Sequence, residues 1–201
     1  MTTRGNIEYF DNVLKSMKDH KMKMPADRIH IRIAGARKIL FNAMKYFVGL
    51  EGKEFVWLTE YDQVAMWLEN NEGRGLFLYG NCGRGKSILC RFALPAILLK
   101  YCGKVVSVCD MQEMNKNLDA VLKKHIISLD DIGTEELSIK YGDRRMAFAE
   151  IIDAVEKETK LLLVSSNLDD IGIKERYGDR ILDRVRSTTK RILFTGDSLR
   201  C

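Results

Sequence analysis

Residues 80–87, with the sequence GNCGRGKS, constrain the fold of this chain more than any other stretch. They fit the pattern G-x-x-x-x-G-K-S/T in full, and they lie between the apolar run LFLY and a helical pattern. Glycines in such a loop let backbone N–H groups surround a phosphate, because side chains would block its approach. A glycine turn without a ligand is the alternative. The strand–loop–helix context favours a loop that binds a nucleoside triphosphate.

The end of this loop carries the predicted phosphate and metal contacts. Lys86 is expected to reach the β- and γ-phosphates, and Ser87 to supply a hydroxyl ligand for Mg²⁺. The helix that begins near Lys86 adds its positive N-terminal end. The predicted nucleotide-binding residues are Gly80, Asn81, Cys82, Gly83, Arg84, Gly85, Lys86, Ser87 and Ile88.

Short apolar runs and helical patterns alternate from this loop onward. The runs LFLY, VVSVC, IISL, LLLVS and RILFT are rich in Ile, Val, Leu and Phe, as expected of strands buried on both faces of a parallel sheet. Helical patterns are predicted at about 86–100, 111–124, 143–158 and 170–186. The alternation predicts an α/β three-layer sandwich around a parallel five-stranded sheet, with right-handed crossovers.

The N-terminal part of the chain is basic and mostly helical in pattern. Net charge is +5, yet residues 1–53 hold eleven Lys/Arg against five Asp/Glu. Such a segment contacts nucleic acid or an acidic partner, or is only a solvated face. An apolar stripe of Ile7, Phe10, Leu14 and Met17 predicts a helix over 6–18. We expect that stripe to dock on its own domain, with a protein partner as the alternative.

Three further patterns precede the phosphate loop. RIHIRI alternates with period two and is compatible with a strand. Apolar residues over 39–47 predict a helix. Thr59, with Asp62 three residues later, is predicted to cap another helix, which the loop NNEGRG ends.

Composition favours a cytoplasmic protein. Hydrophobic residues make up 46% of the chain, but no apolar run approaches the roughly 20 residues that a membrane helix needs. The first residues lack the apolar segment of a signal peptide. The five cysteines include no CxxC pair and no His at ligand spacing, so reduced thiols are expected.

Polar side chains end two of the predicted strands. IISLDDIG ends in Asp130, which suits a Mg²⁺ ligand, and Asp131, which stands where a base could orient the attacking water. A plain turn after the strand is the alternative for this pair. Asn167 follows LLLVS and can approach the γ-phosphate, because ligands sit at the carboxyl ends of parallel strands. An Asx turn or a helix cap is the alternative for Asn167.

Five motifs in order, GNCGRGKS, SLDDIGTEE, VSSNLD, RYGDRILDRVR and FTGDSLR, resemble the DnaC/IstB-like AAA+ ATPases. The resemblance covers roughly residues 55–201. It implies an AAA+ P-loop ATPase domain there, without a helical lid, preceded by a basic extension over 1–54. By the same resemblance, Asp130 matches the Mg²⁺ position and Asp131 the water-activating position. Many AAA+ proteins have Glu at the second of these, and Glu135 is a weaker alternative.

The resemblance also implies roles for residues that lie later in the chain. Asn167 matches the first sensor residue. Arg184 matches the arginine finger that reaches the nucleotide of a neighbouring subunit, and Arg180, one turn earlier, is the runner-up. Arg200 matches the arginine that senses the nucleotide of its own subunit.

Two features depart from the family pattern. Only MQEMNKNLDAVLKKH separates the second strand from the acidic strand, and loaders usually have a longer helical insertion there that grips single-stranded DNA. The N-terminal region matches no known helicase-docking domain. The mode of DNA binding and the identity of the protein partner are therefore left open.

Three functions remain as hypotheses. The resemblance implies an ATP- and Mg²⁺-dependent ATPase that acts in DNA replication as a helicase loader-like factor. Its partners would be a replicative helicase, single-stranded DNA and further copies of the chain. An ATP-dependent transposition helper of the IstB type is the alternative within the family. A small-molecule phosphotransferase would need a mobile lid between strands, and no segment is long enough for one.

Overall fold

A parallel sheet forms the centre of the computed structural model, which describes residues 3–24, 27–134, 138–140 and 143–199. The strands are, in chain order, β1 (Gly75–Gly80), β2 (Ser107–Asp110), β3 (Ile126–Ile132), β4 (Ser138–Lys140), β5 (Asp143–Arg145), β6 (Leu161–Ser166) and β7 (Thr189–Phe194). Five of them pair in parallel in the order β2-β3-β6-β1-β7. The other two, β4 and β5, form an antiparallel hairpin. The predicted α/β fold with a five-stranded parallel sheet is confirmed.

The helices cover both faces of this sheet. They are α1 (Thr3–Asp19), α2 (Ala36–Leu50), α3 (Thr59–Glu69), α4 (Lys86–Ile88), a π-helical segment (Leu89–Ala93), α5 (Leu94–Cys102), α6 (Met111–Val121), α7 (Ala147–Glu158), α8 (Asp170–Tyr177) and α9 (Asp179–Thr188). None of the helices in the described ranges is long and apolar enough to cross a membrane.

Two apolar cores lie on opposite faces of the sheet. Successive residues of a strand point to opposite faces, so Leu76 and Leu78 enter one core while Phe77 enters the other. The first core is closed by α2, α3, the π-helical segment and α5. The second is closed by α6, α7, α8 and α9. Strands buried on both faces explain the near-continuous apolar runs of the sequence.

Three predicted helices differ in detail from the observed ones. The helix after the phosphate loop widens into a π-helical segment, since Pro95 offers no N–H to the carbonyl of Arg91 and its ring crowds that carbonyl. The helix predicted from residue 143 begins at Ala147, because β5 occupies Asp143–Arg145. The pattern over 170–186 is two helices, separated at Gly178, whose φ is 87°.

The RIHIRI stretch is not a strand, and that prediction is wrong. Ile31 and Ile33 are buried, so the alternation of inward and outward side chains is real. Their backbone bonds go to other partners: the Ile31 N–H donates to Asn71 Oδ1 (2.8 Å), and the Ile33 N–H donates to the Leu68 carbonyl (3.0 Å). The period-two pattern therefore reflects alternating burial of the side chains. The side chain of Asn71 accepts a hydrogen bond that a neighbouring strand would accept in a sheet.

Residues 1–54 contain two parts that differ in packing. Leu40 and Met44 of α2 are fully buried in the same core as β1 and β7. In α1, by contrast, Phe10 is 62% exposed and Leu14 is 37% exposed. The expectation that the apolar stripe docks on its own domain is wrong for these two residues. The side chain of Ile7 lies outside the described part of the chain.

The start of α3 also differs from its prediction. The helix begins at Thr59 itself, after an extended Leu58, and no side chain caps its first turn. Thr59 Oγ1 instead donates to Glu60 Oε2 (3.2 Å). Asp62 does not complete a capping box, because its carboxylate accepts from Arg37 Nε (2.7 Å). The predicted cap at Thr59 is therefore wrong, although the helix is correct.

Candidate functional site

The loop between β1 and α4 has a backbone that only glycine adopts easily. Gly80, Gly83 and Gly85 have φ angles of 112°, 73° and 83°, which are positive values that side chains disfavour. A Cβ on Gly80 would lie 2.2 Å from the Phe194 carbonyl oxygen, and one on Gly85 would lie 2.4 Å from the Tyr61 hydroxyl. Gly80 and Gly85 therefore pack directly against β7 and α3.

The Lys86 ammonium lies within this loop and is mostly buried. Its Nζ donates to the carbonyls of Gly80 (2.8 Å) and Asn81 (2.7 Å) and to Asn167 Oδ1 (3.2 Å). A buried ammonium is costly unless hydrogen bonds satisfy it, and the loop carbonyls provide them. The cation is therefore held at the carboxyl end of β1, beside the residue that follows β6.

Asn167 links this lysine to Asp131. Its Nδ2 donates to Asp131 Oδ1 (3.0 Å), so a chain of two hydrogen bonds runs from Lys86 through Asn167 to Asp131. Lys86 and Asn167 follow β1 and β6, and Asp131 lies near the carboxyl end of β3, which is next to β6 in the sheet. The carboxyl ends of these parallel strands lie at the same side of the sheet, where ligands commonly bind.

A β-bulge points the side chains of the adjacent residues Asp130 and Asp131 in different directions. The register of β3 against β6 shifts between Leu129 and Ile132, and Asp131 adopts a left-handed φ of 59°. The Asp131 N–H donates to Ser165 Oγ (2.9 Å), which holds the backbone in this conformation. Bulges next to functional sites commonly redirect a side chain, and here the bulge turns Asp131 towards Asn167.

Asp130 is buried and faces a different set of groups. Ser165 Oγ donates to its Oδ1 (2.5 Å), and Arg91 Nη1 lies 3.6 Å from its Oδ2. Ser87 and both aspartates line one pocket together, so the predicted metal residues share a wall. Ser128, two residues earlier in β3, donates to the Cys90 carbonyl (2.7 Å) and ties this strand to the π-helical segment.

A cavity of about 240 Å³ lies over the phosphate loop. Part of its wall was missed by the sequence analysis, which placed residues 48–54 in the N-terminal extension and named no site residue at 55 or 56. Val48, Lys53, Phe55 and Val56 line the cavity at that side. Their only signal in the sequence is the apolar and aromatic run FVW after a charged stretch, which by itself indicates core packing as readily as a ligand.

The loop positions between the glycines face two directions. Cys82 is exposed and lines the cavity. Asn81 Nδ2 instead donates to the Gly196 carbonyl (2.9 Å), and Arg84 Nη1 donates to the Asp197 carbonyl (3.3 Å). These two side chains contact the segment after β7.

The predicted arginine finger lies away from the cavity of its own chain. Arg184 forms ion pairs with Asp153 and with Glu156 (2.6 Å), and its side chain is 18% exposed. Arg180 also pairs with Asp153 (2.9 Å) but is 70% exposed. Both arginines lie on α9 and face α7.

Two further predicted residues cannot be placed. Arg200, the predicted sensor of the subunit's own nucleotide, lies outside the described residues. So does Glu135, the weaker alternative to Asp131. The last described residue before Arg200 is Leu199, which lines the cavity over the phosphate loop.

The residues that are present fit a magnesium nucleotide. The glycine cradle, the buried ammonium, a hydroxyl and a carboxylate are the groups that a P-loop uses. Within the described ranges no cluster of three or more His, Cys, Asp or Glu could hold a metal ion alone. Mg²⁺ usually takes one or two protein ligands and completes its shell with phosphates and water.

Comparison with known proteins identifies the fold. No family model matches the chain, and no curated protein matches it. Among solved structures, a DnaI structure is 26% identical, with a TM-score of 0.50 over 63% of this chain and 73% of DnaI. A DnaC helicase loader is 20% identical, with a TM-score of 0.58 over 79% of this chain and 99% of the loader.

A DnaA replication initiator bound to AMPPCP and single-stranded DNA is also similar. It is 17% identical, with a TM-score of 0.51 over 74% of this chain and 50% of DnaA. The chain therefore has a DnaC-like AAA+ fold, and the resemblance predicted from the sequence is confirmed.

Proposed function

We propose that this chain, with its DnaC-like AAA+ fold, binds and hydrolyses ATP and acts in DNA replication as a helicase loader-like factor on single-stranded DNA. The observation that carries the proposal is the hydrogen-bonded chain from Lys86 through Asn167 to Asp131 above a glycine cradle. A loop that only held a turn would have no use for this convergence of three strand ends.

The residues of the site divide the work of hydrolysis. Bound Mg·ATP supplies the phosphoryl group that is transferred to water. The backbone N–H groups of the loop and Lys86 would hold the phosphates, while Ser87 and Asp130 would hold the metal. Asp131 accepts the proton of the attacking water, and Asn167 fixes the carboxylate of Asp131 by donating to Oδ1.

Assembly supplies the remaining charge in this proposal. Arg184 or Arg180 of one subunit stabilises the transition state in the site of the next subunit, and Arg200 senses the nucleotide of its own. Asp153 must release one of the arginines for this to happen. Arg180 is the more exposed of the two, and its release breaks an ion pair with Asp153, whereas Arg184 pairs with both Asp153 and Glu156.

A replicative helicase and single-stranded DNA are the proposed partners, in the cytoplasm. The DnaC and DnaA structures are the support, since the first is a helicase loader and the second is a replication initiator bound to single-stranded DNA. α1, with its exposed Phe10 and Leu14, is the proposed contact for the protein partner. No observation in the chain favours the transposition helper over the loader.

A set of variants tests the function. Wild-type protein should bind ATP and hydrolyse it faster with the helicase and single-stranded DNA present, and Lys86→Ala should lose both activities. Deleting residues 1–24 should leave ATP binding intact and abolish helicase binding. A longer deletion is unsuitable as a test, because α2 belongs to the core. ATP binding by Lys86→Ala at wild-type affinity would refute the proposed site.

A further inference from the structure

Arg84, a position that the phosphate-loop pattern leaves open, forms an ion pair inside the protein. Its Nη2 donates to Glu60 Oε1 (3.1 Å), and the two side chains are 13% and 7% exposed. Glu60 lies in the first turn of α3, where a negative charge also suits the positive end of the helix. This pair joins the phosphate loop to α3, which is separated from it along the chain by β1.

Glu60 also joins the loop to the segment after β7. The same Oε1 accepts the N–H of Thr195 (3.1 Å). The loop and that segment share further bonds: the Leu199 N–H donates to the Gly83 carbonyl (3.0 Å). A Cβ on Gly83 would lie 2.0 Å from the hydroxyl oxygen of Ser198, so the two segments pack without a gap.

Tyr61 holds the backbone of the same loop residue. Its hydroxyl donates to the carbonyl of Arg84 (3.1 Å), so adjacent residues of α3 fix both the side chain and the main chain of Arg84. Burial, opposed only in part by the Arg84 charge, raises the pKa of Tyr61, which keeps this hydroxyl a donor. The loop is thereby anchored to α3 beside the cavity, whose wall includes both Tyr61 and Arg84.

We propose that Glu60 is a positioning residue, which holds the phosphate loop in its nucleotide-binding conformation through Arg84 and couples it to the segment 195–199. This inference rests on the proposed nucleotide binding. A loop that binds phosphate through backbone N–H groups gains affinity when those groups are aimed before the ligand arrives. The Arg84 guanidinium is largely buried and pairs with the Glu60 carboxylate, so removing the charge of Glu60 would leave a buried cation without this partner.

Glu60→Gln tests this directly, because it keeps the shape of the side chain and removes its charge. The first measurement is amide hydrogen exchange in the nucleotide-free protein, in which we expect residues 81–86 to exchange about 10-fold faster than in the wild type. The second is the Kd of a fluorescent ATP analogue, which should rise about 10-fold, with kcat at saturation changed less than about 3-fold.

Two control variants separate this role from general destabilisation. Lys160 is buried just before the amino end of β6, where its Nζ donates to the Leu122 carbonyl (2.6 Å), and the phosphate loop lies at the carboxyl ends of the strands. Lys160→Met should lower the free energy of unfolding without changing exchange in 81–86 or the Kd. Glu69→Gln, on the exposed end of α3, should change none of these quantities.

A double-mutant cycle tests whether the two charges act as one unit. Arg84→Gln removes the buried cation, so the double variant with Glu60→Gln should bind the analogue better than the sum of the single losses predicts. If Glu60→Gln does not fold, Tyr61→Phe provides the same test through a single lost hydrogen bond, with a smaller rise in loop exchange.

The outcomes distinguish this inference from the proposed function. Unchanged loop exchange and equal or tighter analogue binding in Glu60→Gln would overturn the positioning role while wild-type binding stands. Additive losses in the double-mutant cycle would also overturn it. A wild-type protein that binds no analogue would overturn the proposed function, and faster loop exchange in Glu60→Gln would then still show the mechanical coupling.

Discussion

Asn167→Ala should slow hydrolysis without removing nucleotide binding. The change deletes the donor to Asp131 Oδ1 (3.0 Å) and one of the acceptors around Lys86. Lys86 keeps the carbonyls of Gly80 and Asn81, so its ammonium stays satisfied and affinity should change less than about 3-fold. A hydrogen bond to a charged group contributes about 1.5–3 kcal/mol, and Asn167 is exposed, so the lower end applies. That predicts a loss in kcat of about 10–30-fold.

Steady-state ATP hydrolysis and equilibrium binding of a fluorescent analogue measure the two quantities separately. Asn70→Ala, at the end of α3, is the matched control, because Asn70 is exposed and does not line the cavity. It should leave both quantities unchanged. The reasoning is refuted if Asn167→Ala lowers affinity and kcat by the same factor, since Asn167 would then hold the ground state as strongly as the transition state. An unchanged kcat would remove Asn167 from the mechanism.

Further expected outcomes concern the carboxylates, assembly and pH. Asp131→Asn should keep ATP binding and lower kcat, whereas Asp130→Asn should raise the Mg²⁺ concentration needed for activity. Titration of Mg²⁺ against turnover checks both variants. The reverse pattern would contradict the assignment. Arg184→Ala mixed with Lys86→Ala should regain part of the ATPase activity that each lacks alone, and no rescue at any ratio would argue against a finger in trans. Burial alone would raise the pKa of Glu60, but backbone N–H groups and the Arg84 guanidinium outweigh it and lower the pKa. The ionised form therefore stabilises the fold above about pH 4.5, and this stabilisation is lost as pH falls through the lowered pKa; urea unfolding should show a smaller loss in Glu60→Gln.

Local patterns predicted the framework of the fold correctly. Each strand of the main sheet was a short apolar run, and the phosphate loop lies between the first strand and its helix as the motif requires. These features depend on residues close in the chain. The hairpin at β4 and β5 was not predicted, because the stretch from 143 onward continues the helical pattern of α7.

Contacts between distant residues were the part that no local pattern could predict. Glu60 lies 24 positions before Arg84 and 135 positions before Thr195, and nothing in a single sequence pairs these three. The alternation in RIHIRI was misread for a related reason, since its Ile31 and Ile33 N–H groups donate to the side chain of Asn71 and the carbonyl of Leu68. The roles of the site residues in hydrolysis stay predictions.

The conformation of Asp131 gives a physical reason for an aspartate at this position. Its φ of 59° lies in the left-handed region, which Asp and Asn enter several-fold more often than most other side chains. A glutamate there would reach further but would add backbone strain at the bulge. The shorter side chain needs help to aim its carboxylate, and Asn167 provides it through the hydrogen bond to Oδ1. The bulge in β3 and the Asn167 side chain after β6 therefore act together to position the Asp131 carboxylate.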